Sequence, residues 1–88
     1  MKVTYRTNFG RDVKRIRQPG IKTHIEQAIV DVKQAVRWSD IPHIKKLANS
    51  VNAYRIRVGD YRIGVLIVGD TVDFARVLPR REIYRKFP

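Results

Sequence analysis

The sequence predicts a single α+β domain in which a helix hairpin covers one face of an antiparallel sheet. Three observations carry this reading. Tyr54, Ile56 and Val58 alternate with Arg55 and Arg57, and after Gly59-Asp60 the alternation resumes through Tyr61, Ile63, Val65 and Ile67, the period-2 pattern of a β-hairpin. Residues 9–36 carry apolar side chains at helical spacing, interrupted by Pro19-Gly20. A second tight-turn signal, Gly69-Asp70, leads into a further alternating stretch.

Taken in order, Val3 and Tyr5 alternate with Lys2, Thr4 and Arg6 as a short N-terminal strand. Thr7 and Asn8 are helix-capping types, followed by a stripe of Phe9, Val13 and Ile16. Pro19-Gly20 ends that helix, and a longer one begins near Ile21 with Ile21, Ile25, Ile29, Val32 and Val36 on one stripe. Ala28 and Ala35 flank that stripe, while His24 falls off it and reads as a solvent-facing residue. Residues 37–53 are the least regular part: Trp38 anchors the helix end, Pro42 forbids a continuous helix, and His43 reads as a loop residue. Ile44-Lys45-Lys46-Leu47 leads into a polar loop, Asn49 to Asn52.

A two-residue hairpin loop fixes the register. Val58 then faces Tyr61, Arg57 faces Arg62, Ile56 faces Ile63, and Arg55 faces Gly64. One face of the hairpin is apolar or aromatic; the other carries Arg55, Arg57 and Arg62 beside a glycine. Like charges directly across a strand pair cost about 0.2–1 kcal/mol, an arrangement that folding alone does not require. Arginines also protect exposed strands from aggregation, which is the competing structural reading. Residues 61–68 are apolar on both faces in the middle, as in a central strand. Thr71 to Leu78 forms the next strand, with Val72 and Phe74 facing the core, and Pro79 ends the ladder. The sheet expected is four-stranded and antiparallel, with the helices of residues 8–36 on the face of Tyr54, Ile56, Ile63 and Phe74. The last stretch, R-R-E-I-Y-R-K-F-P, reads as too short and too charged to enter a core.

Composition bounds the function. Eighty-eight residues, 43% hydrophobic, make one globular domain spanning 1–88. No cysteine is present, which excludes disulfides, zinc ribbons and thiol chemistry and fits a reducing cytoplasm. No apolar run reaches the ~18 residues of a membrane span. Carboxylates are scattered and histidines isolated, so no metal-ligand spacing and no cofactor motif occurs. The formal charge of +11, spread along the chain, implies a folded basic surface for a polyanionic partner. A membrane-surface role would need a strongly basic amphipathic helix, whereas the second helix carries both signs.

Lys45-Lys46-Leu47, Y-R-I-R-V-G-D-Y-R-I at 54–63 and R-R-E-I-Y-R at 80–85, in this order within a basic domain, resemble the RelE toxins of bacterial toxin–antitoxin pairs. The resemblance implies a ribosome-dependent mRNA endonuclease, silenced by a cognate antitoxin with which it assembles. It maps the family's catalytic positions onto Arg55, Arg57, Arg62, Arg80 and Tyr84, and marks Lys45, Lys46, Arg81 and Arg85 as RNA-binding. The alternation selects Arg55, Arg57 and Arg62 independently; Arg80 and Tyr84 come from the resemblance alone. The implied chemistry is metal-independent attack of a ribose 2′-OH on the neighbouring phosphodiester, with arginines neutralising the phosphorane. In that set Tyr84 is the candidate for proton transfer, and its ring could instead stack on a base. Relatives often carry lysine where Arg55 and Arg57 stand, and arginine favours phosphate clamping over a base role. Relatives also often place His or Lys where this chain has Pro79, which supplies no proton-transfer group. Two alternatives share these features in part: a gyrase-binding ParE-like toxin of the same fold, and a non-catalytic basic RNA-binding module.

Overall fold

A computed structural model describes residues 1–88. The chain runs β1 (Lys2–Tyr5), α1 (Thr7–Arg15), α2 (Pro19–Gln34), a 3-10 turn (Trp38–Asp40), β2 (Ile44–Lys46), β3 (Ala53–Val58), β4 (Tyr61–Val68), β5 (Thr71–Pro79) and α3 (Arg80–Lys86). These strands form one sheet in the order β1-β5-β4-β3-β2.

The central hairpin has the register expected from its two-residue turn, with Arg57 opposite Arg62 and Arg55 opposite Gly64. Gly59 adopts a φ of 60°, which explains a glycine there. Two features of the sheet differ from expectation. β1 pairs parallel with β5, not antiparallel: the helices carry the chain from β1 to β2 at the far edge of the sheet, and the antiparallel run β3–β4–β5 brings it back beside β1. A fifth strand, β2, pairs with β3 at the opposite edge, Lys45 facing Arg55 and Lys46 facing Tyr54. Its three residues are too few for alternation to register, and its lysines blunt that edge.

The helices pack on the expected face. Phe9, Ile16, Ile25, Ala28 and Val32 bury against Tyr54, Ile56, Ile63, Val65, Val72 and Phe74. The Phe9 ring meets Phe74 edge-on at 5.3 Å, and Trp38 packs on Tyr54 at 4.9 Å. Helix limits shift in three places. Thr7 and Asn8 lie inside α1, whose N-cap is Arg6. Pro19 opens α2 at its first turn, where a missing N–H is harmless. α2 stops at Gln34, and the Met1 ammonium donates to the carbonyls of Val32, Lys33 and Ala35 at 3.4, 3.1 and 2.9 Å. A positive group on the last carbonyls is a favourable stop. Val36, expected on the apolar stripe, is therefore 80% exposed.

Asp12 occupies the apolar stripe of α1 between Phe9 and Ile16 and is 3% exposed. Arg76 donates to it through Nε at 2.8 Å and Nη2 at 3.0 Å, and the Val77 amide donates at 3.0 Å. This locks α1 onto β5 where the β4–β5 register shifts at Gly64/Val65. The carboxylate and burial act oppositely on Arg76, and the hydrogen bond to Asp12 dominates, raising its pKa.

The C-terminal stretch corrects the sequence reading most clearly. It forms α3, and its Ile83 and Phe87 are 0% and 6% exposed. With Leu47, Ala53, Ala75 and Leu78 they make a second apolar cluster on the sheet face opposite the helix hairpin. Two apolar residues four apart suffice to turn one helical face inward, however charged the rest. The apolar character of both faces of β4 thus has a partner on each side.

Candidate functional site

Outward alternation on β3 carries Arg55 and Arg57 to the face on which α3 lies, and Arg62 projects there from β4. A cleft of about 450 Å³ opens there, lined by His43, Ile44, Lys45, Arg55, Arg57, Arg62 and Tyr84. Lys45, Arg55, Arg57 and Arg62 contribute positive charge, and no carboxylate lines the cleft. Such a surface concentrates anions, and guanidinium groups match phosphate oxygens as paired donors.

The arginines are held apart. Arg62 folds back over the hairpin turn, its Nη1 donating to the carbonyls of Gly59 at 2.9 Å and Tyr61 at 2.8 Å. Arg57 leans the other way, with Nη2 3.4 Å from Nδ1 of His43. The two carbonyls that Arg62 binds offset part of the mutual repulsion. Arg55 lies over the Tyr84 ring, 4.4 Å from its centroid, and its Nε is buried without a partner. That stack is a cation–π contact between β3 and α3.

Tyr84 is 57% exposed. Its pKa is lowered, first by the Arg80 side chain acting as a hydrogen-bond donor to the phenolate, with the charges of Arg80 and Arg55 adding to it and burial opposing. Arg80 and Tyr84 stand four apart on α3, hence on one helical face. Arg80 is placed by its own amide, which donates to the Asp60 carbonyl at 2.9 Å. Pro79 is half-buried, pairs with Tyr61 and forms the N-cap of α3.

The remaining basic residues divide. Lys45 lines the cleft. Lys46 does not: it faces the helix side, with Nζ 6.0 Å from the Tyr54 ring. Arg81 and Arg85 are exposed on α3 outside the cleft lining. His43 is the residue that sequence reasoning set aside. It is a loop residue with φ 61°, yet its carbonyl accepts from the Arg57 amide at 3.1 Å and its ring lines the cleft. Its position follows from β2 pairing with β3, which no local pattern announces. No three His, Cys, Asp or Glu side chains converge as metal ligands, and no helix is long and apolar enough to cross a membrane.

No protein-family model matches the chain. It is 42% identical over 90 residues to toxin RelE3 of Methanocaldococcus jannaschii, covering all of both chains. The fold is similar to that in the RelB–RelE antitoxin–toxin complex from Methanococcus jannaschii, with a TM-score of 0.80 and 37% identity over 97% of this chain and 99% of that one. In fold it is also similar to the archaeal RelE–RelB complex from Pyrococcus horikoshii OT3, TM-score 0.70 at 15% identity, covering 90% and 93%. Full-length identity at this level, joined to the same sheet and helices, places the chain in the RelE family of toxins.

Proposed function

We propose that the protein is a ribosome-dependent mRNA endonuclease that inhibits translation in the cytoplasm and is neutralised by a cognate antitoxin. The observation that carries this reading is the cleft itself: several cations, no carboxylate, and one exposed phenol whose ionised form is favoured by Arg80 beside it and by Arg55. In the proposed reaction a ribose 2′-oxygen attacks the adjacent phosphorus, the bond to the 5′-oxygen breaks, and a 2′,3′-cyclic phosphate forms. The 2′-OH proton leaves to a base, and the departing 5′-oxygen takes up a proton. Arg55, Arg57 and Arg62 hold the phosphate and neutralise the charge that grows on its equatorial oxygens. Arg80 adds charge beside Tyr84, and Tyr84 is the group assigned to proton transfer. No metal or cofactor has a role in this scheme.

Lys45 extends the phosphate contacts within the cleft, while Arg81 and Arg85 reach flanking RNA from outside it; Lys46, on the helix side of the sheet, takes no part. The cleft lies open on one face of a domain this small. Alignment of the strand therefore falls to the ribosome. The acidic partner expected for a +11 surface is the antitoxin, by analogy with the RelB chains that accompany the relatives. A cell-free translation reaction tests the reading. Wild type should cut the message and stop synthesis, added antitoxin should restore it, and Tyr84→Phe should leave the message intact. Arrest of synthesis with an uncut message would contradict it.

A further inference from the structure

α3 carries two stripes with different tasks. Tyr84 lines the arginine cleft with Arg80 beside it, whereas Ile83 and Phe87 bury against the sheet. The helix has seven residues, too short to persist without such docking. Phe87 closes its end, and its amide donates to the Ile83 carbonyl at 3.0 Å.

The seat of Phe87 is Gly64. A Cβ placed on Gly64 would lie 2.6 Å from both Cγ and Cδ2 of the ring and 2.8 Å from Cδ1, so the ring rests directly on the strand backbone. Unlike Gly59 and Gly69, Gly64 has no positive φ, so the missing side chain, not backbone freedom, is what the site uses. Gly64 is also the cross-strand partner of Arg55, the residue whose guanidinium stacks on Tyr84. One register position therefore receives the end of α3 and faces the arginine that α3 must reach.

We propose that Gly64 and Phe87 form a seat that positions Tyr84 against Arg55 and Arg80. Both act through Tyr84, and neither touches the reacting atoms. The catalytic half of this inference rests on the endonuclease reading; the geometric half does not. Simple filling of the second apolar cluster would make Phe87 matter for stability alone. A seat makes it matter for the state of Tyr84.

Gly64→Ala separates the two. Alanine suits a strand at least as well as glycine, while its methyl displaces the ring. The readouts are the titration of a ¹³C-labelled Tyr84 ring by NMR, and the rate and KM of message cleavage on ribosomes. In wild type the Tyr84 phenol should titrate below the ordinary tyrosine value, lowered by Arg80 and Arg55. In Gly64→Ala, with the amide spectrum of β3–β5 preserved, it should return towards that value. The maximal cleavage rate should fall by ~10-fold or more with KM unmoved. Phe87→Ala should do the same, and the double variant should fall no further than the worse single one. Phe87→Leu should recover the Tyr84 titration when combined with Gly64→Ala. A Tyr84 titration unchanged in folded Gly64→Ala overturns the seat, as do losses that multiply in the double variant. If the titration reverts and cleavage persists, the seat stands and Tyr84 is removed from the chemistry.

Discussion

Replacing Arg57 by threonine should separate stability from activity. Arg57 is exposed, and its one polar side-chain contact, to His43 at 3.4 Å, is at the limit of a hydrogen bond and adds almost nothing at the surface. Its amide bond to the His43 carbonyl survives the substitution. The guanidinium of Arg62 across the strand keeps its two turn carbonyls. What the fold loses is a like-charge pair, worth ~0.2–1 kcal/mol, and threonine is the better strand former. The variant should therefore be as stable as wild type or up to ~1 kcal/mol more so, a shift of about 0 to +8 °C for a domain of this size. Loss of a donor aimed at the transition-state phosphate costs about 2–4 kcal/mol, roughly 30- to 900-fold in rate. Urea melts and message cleavage measured on the same preparation decide the matter. A variant that melts lower and still cuts at the wild-type rate would refute the reasoning, since the arginine face would then be structural.

Other expectations follow from particular contacts. Asp12→Ala leaves Arg76 and the Val77 amide without their acceptor and should cost about 3–5 kcal/mol, read as a lower urea midpoint. Tyr84→Phe keeps the ring that Arg55 covers but removes the hydroxyl, so cleavage should drop about 10²- to 10⁴-fold while thermal stability at neutral pH holds. With the pKa lowered, the stabilising contribution is complete above the unfolded value of about 10 and is lost as pH falls through the folded value. If Tyr84 accepts the proton, cleavage rises with pH up to that folded value, and Arg80→Ala should move the rise to higher pH, because Arg80 is the largest cause of the shift. Each cleft arginine removed should reduce the salt slope of RNA binding by about 1, measured by filter binding across a salt series.

Much of the fold could be read from local pattern where a strong period and a tight turn coincide. The hairpin of β3 and β4 is the clearest case, because two turn residues fix every cross-strand pair from Val58–Tyr61 to Arg55–Gly64. The same parity placed Val72 and Phe74 in the core, both fully buried. What escaped depends on contacts distant in sequence. The parallel pairing of β1 with β5 leaves no local mark, and β2 is visible only through its partner. Val36 continues the helical stripe in sequence but not in space, since the Met1 ammonium closes α2 two residues earlier. A buried Asp12 has a signal in hindsight: a lone carboxylate at the spacing of Phe9 and Ile16 needs a buried cation, and Arg76 supplies it. The site divides in the same way. Arg55, Arg57 and Arg62 followed from alternation, and Tyr84 joined them only through resemblance. Counting charge in the C-terminal stretch hid the Ile83–Phe87 pair that carries Tyr84 to the cleft. His43 enters the cleft through tertiary pairing alone.

The most direct test of the central claim uses the purified protein, a defined message and ribosomes, with the chemistry of the new 3′ ends determined at each cut. The message is supplied naked or engaged in translation, and a metal-independent cleavage is read by adding chelator after ribosomes have been fixed on the message. Codon-positioned cuts should appear on the engaged message alone, bearing 2′,3′-cyclic phosphate ends and persisting in chelator. Efficient cutting of naked RNA, or ends with a free 3′-hydroxyl, would contradict it.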